Sequence, residues 1–424
     1  MLRWLSTATL FFYLNKAIMD FNALVVKIAS RCNLNCSYCF MYNLGDETYK
    51  LQPKFMSEDT VDAILLRTRN YILQYDKKYF SFLFHGGEPL LASPEFFVDF
   101  CEKVLAMQAS LPGVKIGFRI QTNGVLINKE WCSIFKKYSV HVGLSIDGSR
   151  EAHDMYRKDH AGNGSYDRVI RGAKLLKEEL GYLNLVTVIN VREPVSKNYE
   201  AFSELGASSI NYLITDYTHD NYPYDAGNNE TPTADWLIAL FDRWSQDTTK
   251  RFIPFFSGMI NLLLGRTAVE QIEVTSLVVE TDGKLEVIDS MKACGDAFTK
   301  NHLNIRQNEF ADIMDTSLGA LYFKDGVNQL SEKCQKCPIK DICKGGRLVH
   351  RYSQAKGFNN PSVYCKDLVK IIAHIQAHLI DRFAEVYEKE QVAKIDPDAI
   401  IAYLDSIEAT GGKKEQAYEV LERF

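Results

Sequence analysis

The sequence predicts an α/β protein: a partial, open (β/α)6 barrel, then a smaller cysteine-bearing unit and a helical tail. Three observations carry that expectation. β-rich runs alternate with amphipathic helical stretches from about Leu24 to Thr215, and such alternation implies a parallel sheet. Six of these units suit an open barrel better than a closed eight-stranded one. A second group of cysteines lies well beyond the repeat, after a hairpin signal.

The six strands are expected at LVVKIA, FSFLFHGG, KIGFRIQTNG, VHVGLSID, LNLVTVIN and SINYLIT. Helices are expected between most of them, as at SEDTVDAILLRTRNYIL and SYDRVIRGAKLLKEEL. The polar stretch DYTHDNYPYDAGNNETPT reads as a linker, and ADWLIALFDRWSQDTTKRF as a helix. SLVVETDGKLEVID reads as a hairpin turning at Asp282–Gly283. Apolar spacing in LVKIIAHIQAHLIDRFAEVY predicts a helical tail from about Lys366. The divisions expected are 1–23 (extension), 24–215 (barrel), 216–275 (linker and helical bridge), 276–370 (cysteine domain) and 371–424 (tail).

With 424 residues, the chain has room for a large core and more than one domain. Apolar residues at 46% and charged residues at 24% are those of an ordinary soluble globular protein. A net charge of −5 argues against an obligatory duplex-DNA binder, so no nucleic-acid partner is expected. The apolar run near the start has only Arg3 before it and is interrupted by Asn15 and Lys16. It reads as a packing segment, or as an upstream start with Met19 the natural one, rather than as an export signal. No later stretch is long and apolar enough to span a membrane. Of ten cysteines, three lie between positions 32 and 39 and four between 334 and 365. Thiol clusters in a long chain point to metal sites in a reducing compartment, hence to the cytoplasm.

A partial, TIM-like barrel carries its active site at the C-terminal ends of its strands. The residues suited to chemistry fall there: the first cysteines after strand one, His85–Glu88 after strand two, Gln121–Gly124 after strand three and Ser145–Gly148 after strand four. Cys32, Cys36 and Cys39 can hold three corners of a 4Fe–4S cube and leave the fourth iron open. The amine and carboxylate of S-adenosylmethionine (SAM) suit that open iron. Zinc is the plain alternative, but it normally takes a fourth Cys or His nearby, and this loop has none.

The CxxxCxxC segment, with Tyr38 before its last cysteine, resembles the radical SAM signature. His85-Gly86-Gly87-Glu88-Pro89 is similar to the GGE motif of that superfamily. The resemblance implies that Gly86, Gly87 and Glu88 meet the SAM ammonium. It also implies that Gln121, Asn123, Ser145 and Asp147 line its ribose and carboxylate. Tyr38 either stacks near adenine or packs. Arg157 and Arg168 are both candidates for the SAM carboxylate, and both are equally readable as solvated helix residues.

Cys334, Cys337, Cys343 and Cys365 can fill all four irons of a second cube, which then carries electrons or holds structure. Structural zinc is the alternative. The spacing, with GGRLVHRY and NNPSVYC, resembles the SPASM extension of radical SAM peptide maturases. The full pattern has seven cysteines and two auxiliary clusters. Arg347 and Ile288 stand where two of those cysteines would be, which implies one auxiliary cluster and two 4Fe–4S clusters in all. Cys101 and Cys132 read as packing thiols, and Cys294 remains ambiguous.

Over about residues 24–380, HGGEPLL, VVETDGKLEVIDSMK, DYTHDNYP and KGGRLVHRY…FNNPSVYC together resemble the FxsB-, XyeB- and GrrM-type maturases. That resemblance implies a ribosomally made precursor peptide as substrate. A 5′-deoxyadenosyl radical would take hydrogen from a side-chain β-carbon, and a cyclophane-type crosslink would follow. Asp289 matches the catalytic carboxylate of related enzymes and would accept the released proton. A hairpin-end Asp is its structural alternative. The resemblance also implies an electron donor such as flavodoxin or ferredoxin. Too few residues precede Leu24 for a peptide-recognition domain, so a separate leader-recognition protein or an exposed strand edge is expected to bind the leader. The alternatives are epimerisation, with Cys294 quenching the radical, ether or thioether formation, excision beside a tyrosine, and sulfatase maturation. The missing cysteines disfavour the last. A zinc-stabilised, non-catalytic adaptor is opposed by the intact cysteine trio and Glu88.

Overall fold

β1 (Ala23–Ala29) is paired on both edges and buried at every residue, as a central parallel strand covered on both faces is. In the computed structural model, residues 21–223, 230–249, 251–266, 276–325 and 330–409 are described. The reading of Met19 as the natural start falls outside these residues, with most of the extension and the end of the tail. β2 (Tyr79–Gly86), β3 (Lys115–Thr122), β4 (His141–Ser145), β5 (Asn184–Val188) and β6 (Ser209–Leu213) follow as parallel neighbours. These are the six strands expected from the alternation. The whole sheet has the order β6-β5-β4-β3-β2-β1-β7-β8.

Six helices connect and cover these strands: α1 (Glu58–Gln74), α2 (Pro94–Ala109), α3 (Lys129–Lys137), α4 (Arg150–Tyr156), α5 (Tyr166–Leu180) and α6 (Val195–Glu204). Their starts are written locally. Ser57, Ser93, Asn128 and Ser149 each accept a backbone N–H from the first turn of the helix they cap. Beneath β2, Phe80, Phe82, Phe84, Phe97 and Phe100 are fully buried. Phe84 lies 4.5 Å from Phe97 and 5.0 Å from Phe100, centroid to centroid. Each such ring contributes about 1.5–3 kcal/mol by its burial alone. This layer gives the residues after β2 a rigid base.

The hairpin forms where the turn signal placed it. β7 (Ser276–Val279) pairs antiparallel with β8 (Leu285–Glu286), and Gly283 takes φ 82° in the turn. β7 also joins the barrel sheet, parallel to β1. Leu277, Val278 and Val279 are buried, so this strand needs cover on both faces. The cysteine domain is therefore continuous with the barrel.

α7 (Pro232–Gln246), α8 (Pro254–Leu263) and α9 (Cys365–Arg382) pack together beside the barrel. α9 runs across the expected division at 370 and buries Val369, Ile371, Ile372, Ile375 and Leu379 in the main core. A final helix, α10 (Pro397–Ala409), packs on α9. Among the described residues no helix is long and apolar enough to cross a membrane.

Candidate active site

The cysteine loop leaves the end of β1 and is held by the end of β2. Gly87 N–H donates to Ala29 O at 2.8 Å, and Glu88 N–H donates to Arg31 O at 2.9 Å. A Cβ at Gly86, where φ is +128°, would lie 2.1 Å from Ala29 O. One at Gly87 would lie 2.2 Å from Arg31 O. The two glycines let the backbones approach, and so set where the thiols sit. The loop is further tied by Asn35 N–H to Lys158 O at 2.7 Å and by His160 Nε2 to Cys32 O at 2.9 Å.

Cys32, Cys36 and Cys39 line one cleft at the C-terminal ends of the strands. Tyr38, Gly86, Gly87, Glu88, Gln121, Asn123, Ser145 and Arg157 line it too. His85 lies at its edge by β2, and Val186, Val188, Leu213 and Ile214 form an apolar wall from β5 and β6. Burial pushes all three thiols above their ordinary range, Cys39 to about 12. Such thiols surrender their protons on binding iron.

Glu88 is buried and accepts three hydrogen bonds, which leaves one acceptor direction, on Oε2. Its Oε1 accepts from the Thr122 hydroxyl at 2.7 Å and from Leu90 N–H at 3.0 Å; its Oε2 accepts from Asn123 N–H at 2.8 Å. Burial pushes its carboxyl up to about 7, against the pull of those donors and of Arg157. Gln121 Nε2 donates to Ser145 Oγ at 2.7 Å, joining the third and fourth strand ends. Asn123 Nδ2 donates to Asn33 Oδ1 at 2.7 Å, beside Cys32 Sγ at 3.6 Å.

Three residues proposed from sequence are not among those lining the cleft: Asp147, Arg168 and Asp289. Asp147 stands behind it. Its Oδ2 accepts from Arg157 Nε at 2.9 Å and from the Tyr38 hydroxyl, and its Oδ1 accepts from Val188 N–H at 3.0 Å. Asp147 thus aims Arg157 and Tyr38 at the cleft. The Arg157 guanidinium is buried, 5.6 Å over the Tyr38 ring. Arg168 is half-buried on α5 and donates to Asp159 at 3.1 Å. The structure therefore separates two arginines that sequence could not.

Cys334, Cys337, Cys343 and Cys365 line a second cavity, with Ile339, Val369 and Leu404. Lys344, Gly345 and Gly346 all have positive φ, at 52°, 76° and 68°. In that turn Gly346 N–H donates to Cys343 O at 2.9 Å, and the Gly345 amide lies beside the Cys343 sulfur. Arg347 pairs with Asp216, which lines the first cleft. So the residue standing where another cysteine was expected pins this domain to the end of β6. Ile288 packs in the apolar core. Cys101 and Cys132 are buried packing thiols, and Cys294 lies 3.9 Å from Met291 Sδ.

Sequence reasoning missed Lys27. It sits in β1 with no exposed side-chain surface, 2.9 Å from Glu280 and 3.5 Å from Asp289. Asp289 opens a 3-10 turn after β8, and its Oδ2 lies 3.8 Å from His85 Nδ1. Burial works to raise the Asp289 carboxyl, but Lys27, His85 and Lys292 hold it below its ordinary value. The signal was available: a lone lysine inside the apolar run LVVKIA must be buried and paired if that run is a central strand.

Residues 26–193 match the family model described as the Radical SAM superfamily. The chain carries a radical SAM domain over those residues, and it is an enzyme with SAM and iron–sulfur cofactors. It is related to the anaerobic sulfatase-maturating enzymes. The cysteine-type enzyme of Clostridium perfringens (strain 13 / Type A) is 28% identical over 85% of this chain and 97% of its own. The serine-type enzyme of Bacteroides thetaiotaomicron is 26% identical over 88% of this chain and 93% of its own. The solved structure of native anSMEcpe with bound AdoMet and Cp18Cys peptide is 26% identical, with a TM-score of 0.70 over 86% of this chain and 99% of that one.

Proposed function

We propose that this enzyme modifies a ribosomally made precursor peptide by removing hydrogen from a side-chain β-carbon and joining that carbon to an aromatic ring, as in a cyclophane. One observation carries the reading. A single cleft is lined by three clustered thiols, a buried carboxylate, an apolar wall and His85, whose Nδ1 faces the Asp289 carboxylate behind it at 3.8 Å. The solved relative with a peptide bound supports a peptide substrate. SAM, bound at such a cluster, supplies hydrogen-atom removal from an unactivated carbon.

In this reading Cys32, Cys36 and Cys39 hold the SAM-binding cluster. Glu88 accepts from the SAM ammonium, aided by the backbone at Gly86 and Gly87. Arg157 faces the carboxylate, with Asp147 and Tyr38 holding it, while Gln121, Asn123 and Ser145 offer polar groups to the ribose. Cys334, Cys337, Cys343 and Cys365 hold the second cluster, and Asp289 takes part in removing the proton. A flavodoxin or ferredoxin donates electrons, a separate protein presents the leader, and the reaction belongs in the cytoplasm.

Glu88→Ala removes a carboxylate but no thiolate. SAM affinity, read by calorimetry, should fall about tenfold or more while iron content stays at the wild-type level. In the wild type, affinity should also weaken below about pH 7, because the neutral carboxyl must first lose its proton. Unchanged affinity in the variant sinks the assignment.

The proposal as a whole is tested with the short peptide encoded beside this gene, coexpressed with the enzyme and read by mass spectrometry. The expected product is lighter by two hydrogens, with the joined residues located by fragmentation. Sulfatase maturation is the second reading, favoured by the relatives named above. Conversion of the Cp18Cys peptide by this enzyme, with none of the neighbouring peptide, would establish it instead.

A further inference from the structure

Behind His85 lies a buried ionic cluster assembled from four parts of the chain. Lys27 from β1 meets Glu280 and Asp289. Lys292 lies 3.2 Å from Glu280, 2.9 Å from Glu286 and 3.7 Å from Asp46. Lys300 reaches Glu286 at 2.6 Å. Three lysines thus face four carboxylates, and one negative charge is left over. Glu280 and Glu286 have no exposed side-chain surface, and Lys292 and Asp46 almost none. Where the cluster meets the cleft it presents Asp289, whose Oδ2 faces His85.

His85 is the member of this group that lines the cleft. Its Nδ1 is buried, makes no hydrogen bond and faces Asp289 Oδ2 at 3.8 Å. That leaves Nε2 as the nitrogen able to meet a substrate. We infer that His85 is a catalytic residue: the base that takes the proton lost when the new bond forms, with Asp289 and Lys27 as positioning residues behind it. This rests on the oxidative reading above. It differs from a direct role for Asp289, because the carboxylate acts through the imidazole.

The atoms and electrons balance as follows. One carbon–carbon bond forms and two carbon–hydrogen bonds break. With SAM bound, its carbon–sulfur bond would break on taking one electron from the donor, releasing methionine, and the deoxyadenosyl carbon would take one hydrogen atom; one proton would leave to His85 Nε2, and one electron would leave to a second cluster held oxidised by Cys334, Cys337, Cys343 and Cys365. The leftover negative charge favours the imidazolium that results, and so lowers the barrier to proton transfer. Lys27 keeps Asp289 ionised, so that His85 rather than the carboxylate carries the proton. The charged groups facing the ring are Asp289, Lys27 and Glu280, and burial holds the free imidazole neutral at neutral pH.

The test uses the reconstituted holoenzyme with the neighbouring peptide, and reads crosslinked product per 5′-deoxyadenosine formed. His85→Gln should lower that ratio by about a hundredfold. His85→Ala should lower it equally, and added imidazole should restore it in part. Asp289→Asn should move the acid limb of the wild-type pH profile to lower pH, since the ring loses the anion that favours its protonated form. A wild-type ratio in His85→Gln overturns the inference, as does an acid limb that stays put in Asp289→Asn. If His85→Gln fails to load iron, the imidazole response of His85→Ala decides. A wild-type enzyme that forms deoxyadenosine and leaves the peptide's mass unchanged removes the oxidative reading itself, and the inference with it.

Discussion

Replacing Cys32, Cys36 and Cys39 together with alanine is expected to halve the iron content, from about eight irons per chain to about four, and to abolish SAM cleavage. The structure puts the two cysteine groups in separate cavities with no thiol in common. The trio hangs on one loop braced by Gly86 and Gly87. The second group is built from short helices and the start of α9. Losing the first should therefore leave the second intact. Iron and zinc are measured after anaerobic reconstitution. Four irons and one zinc in the unaltered protein would show the second site to be structural zinc, and the proposed route for the electron would go with it.

Asp289→Asn should form 5′-deoxyadenosine when given SAM, reductant and peptide, yet yield about a hundredfold less crosslinked product. Hydrogen removal precedes any need for a base. The proton becomes acidic only once the new bond and the departing electron leave it on a cationic ring system. Asparagine keeps the shape of Asp289 and removes its charge, so Lys27 loses one of its two carboxylates and His85 loses its anion. Normal crosslinking in this variant would make Asp289 a hairpin-end residue with no part in the chemistry. Loss of deoxyadenosine as well would point to folding or substrate positioning.

Much of the site was legible because its chemistry is local. Three thiols within eight residues must share a loop, and His85–Glu88 follows directly on a strand. Parallel alternation then places every strand end on one rim, so Gln121, Asn123 and Ser145 meet the cysteines. The glycines were legible as a motif but not as a cause. Only the structure shows that Ala29 O and Arg31 O occupy the space a side chain would need.

The sequence by itself determined the six parallel strands, the hairpin at Gly283, the two cysteine groups and the rim on which the first one sits. Each is set by spacing within a few residues or by a repeating period, and neither needs knowledge of distant neighbours. Only the tertiary structure put Arg157 in the cleft wall with Arg168 and Asp147 outside it, and joined β7 to β1. Only the structure, too, brought Lys27 to Glu280 across 253 positions of sequence, and Arg347 to Asp216. A charge's role depends on what covers it and what pairs with it. In a low-dielectric interior those partners outweigh any local preference, and packing chooses them from anywhere in the chain.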